Sequence, residues 1–398
     1  MRILICTLEA PVPPIDGLRL QVGALLRQLR AEHDVRLLGL VRPGERPSHV
    51  DEWMRLVLRP STSRWSKAAS LPRAILRDRP ISVDRLAARL RPALREELDR
   101  FDPDVVHVTS GPLAVLGSDL RGRPAVMAAL DAWHLNTDAD AVAASGLRRR
   151  LLRGEAKRVR AFESTAFRSF DTVVVVSDGD RDALRALDPS LRVAVIANGV
   201  DTERFAPDPS VRKDPDRVAF TGVLDYAPNV TASLHLARDI LPLVRASRPT
   251  AHLVLVGRSP SDAVRAAGAL DGVRVVGEVP EMRPWLAGSA VYVCPMRSGT
   301  GIKNKLLEAM ACGVPCVAST LAVRGMRIEP GRDLLVAESP RDLAHAVVRV
   351  LDDPVLADAL GAAARRYVVA EHGWAAVGRA YLEVYAAAIE RGRRVTEP

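Results

Sequence analysis

The sequence predicts an α/β protein made of two open parallel sheets in tandem. Short aliphatic runs alternate with helical stretches, the pattern of a parallel sheet covered on both faces. The alternation halts at a turn and a proline-rich segment, Pro207, Pro209 and Pro215, and then starts again. A chain of 398 residues is also too long for one hydrophobic core.

The first series opens with a strand at 2–7. A loop follows with Pro11, Pro13, Pro14 and Asp16-Gly17. From Leu18 the apolar positions Leu18, Val22, Leu25, Leu26 and Leu29 recur at helical spacing. Further strands are expected at 34–40, 104–108, 124–129, 172–176 and 193–196, with helices at 83–101 and 148–170 among them. Ala197-Asn198-Gly199-Val200-Asp201 is a turn signal, and 217–220 opens the second series. Its strands are expected at 252–256, 273–276, 290–294 and 315–318, and its helices at 229–245, 282–288 and 302–311. Residues 341–391 read as helix, broken near Pro354 and Gly373. Ligands of such sheets bind beyond the carboxyl ends of the strands, so a cleft between the two sheets is the expected site.

Composition narrows the class. Apolar residues make up 48% and charged residues 26%, which is globular rather than disordered. No apolar run approaches the roughly 20 residues of a membrane span. Met1 leads straight into a strand-like run without a signal-peptide pattern, so a cytoplasmic protein is expected. Four cysteines make no disulfide framework here; Cys294, Cys312 and Cys316 lie in apolar runs without a histidine among them and are read as buried thiols, not metal ligands. Asp138-Ala139-Asp140 is an isolated spacing match in a helical region, so no metal site is expected. The formal charge is +9, from 57 basic and 48 acidic residues. The densest basic run, residues 147–160, reads either as a solvated helix face or as a docking surface for a membrane or acidic partner. Nothing points to nucleic acid.

The chemistry concentrates in Pro295-Met296-Arg297-Ser298-Gly299-Thr300-Gly301-Ile302-Lys303-Asn304-Lys305-Leu306-Leu307-Glu308-Ala309-Met310-Ala311-Cys312-Gly313-Val314-Pro315. A strand runs into a loop with two glycines and then into a helix whose apolar face is Ile302, Leu306, Ala309 and Met310. Glycines let a ligand approach backbone N–H groups at a helix start, where the dipole favours phosphate. Arg297, Lys303 and Lys305 add charge there, and Thr300, Asn304 and Glu308, four apart, share a face. Glu308 is placed to accept two ribose hydroxyl protons, or else is a solvated residue on an ordinary helix.

This segment resembles the retaining glycosyltransferases of family 4, whose fold is GT-B: two Rossmann-like domains with parallel sheets facing an inter-domain cleft. The resemblance rests on Lys305-Leu306-Leu307-Glu308-Ala309-Met310-Ala311-Cys312-Gly313-Val314-Pro315, with Asn198-Gly199-Val200-Asp201 and Val254-Leu255-Val256-Gly257 in support. Asp104-Val105-Val106-His107 and Val173-Val174-Val175-Val176-Ser177 look like first-domain strand ends of that family. It implies an amino-terminal acceptor domain, 1–197, with a terminal helix of about 374–398 returning to it, and a donor domain, 198–373. It implies a nucleotide-diphosphate sugar donor, UDP-sugar being expected, with no cofactor. Glu308 would hold the ribose, the loop of Thr300, Gly301, Ile302 and Asn304 the sugar and phosphate, and Gly17 would approach the diphosphate. A histidine on a first-domain strand end contacts the donor sugar in many members; His134 is the candidate, its alternative being a surface-loop imidazole. His107, at a strand end, reads as structural. Asn198 and Gly199 would form the hinge.

Two departures stand out. Many members have a glutamate where this chain has Thr300, and an Arg and a Lys after the glycine matched by Gly222, where Val223-Leu224-Asp225-Tyr226-Ala227-Pro228-Asn229 has neither. The resemblance is therefore to a subgroup with a Thr-Gly-Ile-Lys-Asn-Lys loop, in which Lys303, Lys305, Arg297 or Arg258 must meet the diphosphate. The expected reaction is metal-independent transfer to an acceptor hydroxyl with retained configuration, the leaving phosphate taking the acceptor proton. Rival readings are a degenerate subunit that binds nucleotide sugar and activates a partner enzyme, and a sugar-nucleotide epimerase. The acceptor, whether a glycan, a lipid-linked sugar or a small molecule, is not legible, although the basic run favours a membrane-associated one and a peripheral position at the inner membrane face.

Overall fold

The computed structural model describes residues 1–11, 17–42, 51–59, 76–81, 83–299 and 301–396. The chain divides into two compact units, Met1–Ala197 with Val377–Pro398, and Asn198–Ala376.

The first unit carries a seven-stranded parallel sheet of β1 (Arg2–Thr7), β2 (Asp34–Val41), β3 (Met54–Leu58), β4 (Val105–Thr109), β5 (Ala125–Leu130), β6 (Thr172–Val175) and β7 (Val193–Val195). The spatial order is β3-β2-β1-β4-β5-β6-β7. Every residue of β4 is buried, which explains why Val105-Val106-His107-Val108-Thr109 is almost wholly apolar: helices close both faces. One helix, Val83–Phe101, lays Val83, Leu86, Leu90, Leu94 and Leu98 on the sheet at three- and four-residue spacing. Edge strand β3 is only half-buried and carries Arg55 as its second residue, so no long apolar run announces it in the sequence.

The second unit repeats the plan with β8 (Asp214–Thr221), β9 (His252–Val256), β10 (Val273–Gly277), β11 (Ser289–Cys294), β12 (Cys316–Ala318) and β13 (Leu335–Val336), ordered β10-β9-β8-β11-β12-β13 and parallel throughout. In both sheets the chain winds outward one way and then the other, so the order reverses between β1 and β4 and between β8 and β11. Such reversals splay the connections apart and open a crevice at the carboxyl edge.

Three carboxy-terminal helices, Pro340–Asp352, Pro354–His372 and Trp374–Thr396, break where Pro354 and Gly373 predict. From Val377 the last belongs to the first unit, where the buried Tyr385 hydroxyl lies 2.6 Å from His107 Nδ1 and Arg391 donates to Thr172 Oγ1 at 2.9 Å. His107 is thus a buried packing residue, its pKa pushed down to about 3 by burial.

Candidate functional site at the second sheet's reversal point

At the carboxyl edge of the second sheet, Gly222 follows β8, Gly257 follows β9, and the loop from Pro295 follows β11. The first two backbones touch: a Cβ on Gly257, whose φ is +149°, would sit 1.7 Å from the Gly222 carbonyl oxygen. Only glycine fits, and the two connections are tied again by Leu224 N donating to Arg258 O at 2.9 Å.

The helix after β11 runs from Asn304 to Ala311, two residues later than the sequence pattern predicts. Ile302 and Lys303 precede it, both buried. Lys303 turns its ammonium back on its own loop, donating to the carbonyls of Gly299 at 3.1 Å and Gly301 at 2.7 Å. Burial, then the charges of Lys305 and Arg324, lower its pKa. Gly301 has φ +69° and nothing within 4 Å of a would-be Cβ, so the turn beside Lys303 faces open space. Thr300 lies outside the described residues. Because the helix starts at Asn304, the shared face comprises Asn304, exposed, and Glu308, half-buried.

Leu306, Leu307, Ala309, Met310 and Ala311 are all buried, so this short helix is apolar nearly all round. Lys305 and Glu308 are exceptions placed within it. Burial pushes the Glu308 carboxyl up to about 7, against the pull of Arg204 and Lys305. Among the described residues the carboxylate has neither an ion pair nor a hydrogen bond. Glu308 is therefore a half-buried carboxylate on an otherwise apolar helix, not a freely solvated one. Lys305 reaches the end of β8: its Nζ donates to Asn229 Oδ1, stands 5.1 Å from the Phe220 ring centroid and 4.0 Å from Met296 Sδ. Its pKa is lowered, chiefly by burial. Asn229 is buried and anchored by its own Nδ2 donating to Val223 O at 2.9 Å. Arg258 and Arg297 are exposed.

In the first unit, His134 sits in the first turn of the helix Trp133–Ala143, just beyond β5. It is not a surface-loop imidazole, because only 4% of it is exposed. The fully buried Glu163 takes the Trp133 and His134 N–H groups at 2.8 and 3.1 Å and the His134 Nδ1 at 2.7 Å. Since a carboxylate only accepts, Nδ1 is the ring nitrogen that donates to Glu163. Leu130, which ends β5, has φ +73°, a strained value for a bulky residue and one that marks functional edges. Gly17 opens the helix Gly17–Arg30; residues 12–16 before it lie outside the described residues.

Asn198 O accepts from His372 Nδ1 at 2.9 Å, and Gly199 packs against the Trp374 ring. All four cysteines are buried. In the basic helix Gly146–Ala166, Arg148, Arg149, Arg150, Arg153 and Lys157 are exposed, and so are Leu147 at 73% and Leu151 at 55%. No helix among the described residues is long and apolar enough to cross a membrane.

Asn229 and Glu163 escape a reading along the chain. Each is a polar residue on a buried face, and that oddity was the one available signal.

Comparison with known proteins places this architecture. Residues 15–204 match the family described as Glycosyltransferase Family 4, and residues 215–353 match Glycosyl transferases group 1. The glycogen synthase of Mycobacterium tuberculosis is 30% identical over 432 aligned positions, covering 100% of this chain and 97% of that protein. A GDP-mannose-dependent monoacylated alpha-(1-6)-phosphatidylinositol monomannoside mannosyltransferase of Corynebacterium glutamicum is 32% identical over 203 residues, 46% of this chain and 53% of that one. The structure of Anabaena HepE in complex with UDP superposes with a TM-score of 0.67 at 13% identity, covering 97% of this chain and 100% of that one. The chain belongs to the glycosyltransferases of the GT-B fold.

Proposed function

We propose that the chain is a retaining, metal-independent glycosyltransferase that moves a sugar from a nucleotide diphosphate, a UDP-sugar in the first instance, to an acceptor hydroxyl. The observation that carries this is the Lys305–Glu308 pair: an ammonium and a carboxylate, both half-buried on an otherwise apolar helix, with no ion pair between them among the described residues. Buried charge left in that state is costly unless a ligand answers it. A nucleotide diphosphate does so at both ends, with its diol on Glu308 and its phosphates toward the cation. The reversal point of a parallel sheet is where such ligands bind, and a solved relative by fold holds UDP.

Catalysis then consists of stabilising the departing diphosphate with fixed positive charge and N–H groups around Gly301. The diphosphate oxygen itself takes the acceptor proton. Gly17 and His134 keep the donor roles that the family resemblance gives them, and Asn198 and Gly199 the hinge role. Exposed Leu147 and Leu151 among arginines fit peripheral contact with an anionic membrane, which would suit a lipid-linked acceptor.

The test is a thermal-shift screen of purified protein against UDP-, GDP-, ADP- and dTDP-sugars, followed by product analysis with and without candidate acceptors. One donor should stabilise the fold and yield a glycoside whose anomeric configuration matches the donor. Stabilisation by none of them would refute the reading. Conversion of the donor without acceptor would favour an epimerase, and binding without any turnover a degenerate subunit.

A further inference from the structure

A base after Gly222 is missing, and four cations elsewhere compete to replace it. Their surroundings separate them. Arg258 and Arg297 are exposed, where a counter-charge gains little over water. Lys303 donates into the carbonyls of its own loop. Lys305 differs from all three. Its side chain leaves the helix after β11 and crosses to the end of β8, so that a Cβ on Gly222 would lie 3.4 Å from its Nζ. The charge that the sequence lacks after β8 thus reaches the same place from the opposite side of the sheet's reversal point.

Its partner is equally specific. Asn229 lies 76 residues away in sequence and offers a neutral oxygen. An ammonium has three N–H donors; the amide takes one and the Met296 thioether, a weak acceptor, stands at 4.0 Å, so the full charge remains and no anion answers it among the described residues. A carboxylate at that position would have cancelled the charge. Asn229 has no freedom to turn away, since its Nδ2 is fixed on Val223 O at 2.9 Å and the residue is 4% exposed. The Phe220 ring lies 5.1 Å from Nζ and supplies a second surface that favours a cation without neutralising it.

We propose that Lys305 is the cation that receives the diphosphate of the nucleotide, and that Asn229 is the positioning residue that holds it charged and aimed. The proposal rests on the reading of the chain as a nucleotide-sugar enzyme and goes further in assigning the phosphate contact.

The experiment is calorimetric titration of wild type and variants with the nucleoside diphosphate that wild type prefers among UDP, GDP, ADP and dTDP, and with its nucleoside. The quantity read is the ratio of nucleoside to nucleoside-diphosphate dissociation constants, which isolates the phosphate contribution. Lys305→Met is expected to weaken diphosphate binding by about tenfold to a hundredfold, as the loss of a charge-assisted contact does. Nucleoside affinity should stay the same. Asn229→Asp, which pairs the ammonium internally, should approach the same loss, Asn229→Ala should lose less, and Lys305→Arg should retain most of the ratio. A merely structural role for Asn229 would lower both affinities together and overturn its assignment. An unchanged ratio in Lys305→Met, with the loss appearing instead in Arg258→Met, Arg297→Met or Lys303→Met, overturns the assignment of Lys305 but leaves the enzyme reading intact. Failure of wild type to bind any of UDP, GDP, ADP and dTDP removes both. Lys305→Gln serves if Lys305→Met does not fold, with thermal melting as the check on every variant.

Discussion

The carboxyl edges of the two sheets handle buried charge in opposite ways. In the first unit, His134 is bound to Glu163 at 2.7 Å, and the buried Glu9 takes Arg42 at 2.7 Å and Arg19 at 3.3 Å. The protein satisfies these groups from within. In the second unit, among the described residues, Lys305 meets neutral groups alone, the Asn229 amide, the Met296 sulfur and the Phe220 ring, and Glu308 has no hydrogen bond or ion pair. The second sheet repeats the order of the first six strands of the first sheet, so the contrast comes from side chains and not from topology. Groups satisfied internally hold a shape; groups left desolvated and unanswered are available to a ligand.

The sharpest way to break this contrast is Glu308→Ala, which is expected to abolish transfer and to weaken nucleotide binding by about a hundredfold, the loss of hydrogen bonds to a buried charged group. Titration calorimetry and product formation read it. The wild-type pH profile gives the same residue a signature. Its folded-state pKa of about 7 lies above the ordinary 4.5, so the folded protein holds the proton between those values and the unfolded chain does not. Stability therefore falls as pH rises from 4.5 through 7, while nucleotide affinity rises as the accepting carboxylate forms. Glu308→Gln should remove both slopes, and denaturant midpoints with binding curves across that range would show it.

A second break is structural. Gly257→Ala forces a methyl group onto the Gly222 carbonyl, and the β8 and β9 ends must part. A loss of about 2–4 kcal/mol is expected, the upper range for overpacking and strain, with urea unfolding as the measurement. The smallest effect on nucleotide binding belongs to the first unit. Glu163→Ala strands two N–H groups and the His134 ring, so about 2–3 kcal/mol of stability should go. UDP affinity should change less than about threefold, because UDP lacks the sugar that His134 is proposed to meet. A large fall in UDP affinity would erase the distinction between the two edges.

Much of the fold was legible because parallel strands buried on both faces must be apolar runs. Val105–Thr109 and His252–Val256 show themselves in that way, while β3 hides behind Arg55 and β13 spans only two residues. The helix with Glu308 was legible from the spacing of Leu306, Ala309 and Met310, although its start was placed two residues early. Lys303 carries an ammonium that could itself serve as an N-terminal charge, and nothing local says that it bends back to Gly299 and Gly301. The links from Lys305 to Asn229 and from His134 to Glu163 span 76 and 29 residues, distances at which periodicity is silent. Local pattern fixes which residues are helical or extended; which polar groups meet is decided only when the elements pack.

One small feature near the end of the chain has a wider meaning. Val200 and Gly373 form an isolated parallel bridge, and Val200 N donates to His372 O at 2.7 Å. The second unit therefore begins and finishes at one seam, like a parcel tied with a single knot. Cutting there would free it as a self-contained piece with adjoining ends, suited to separate expression or circular permutation. The polypeptide on either side of the cut could be rejoined by a short splice.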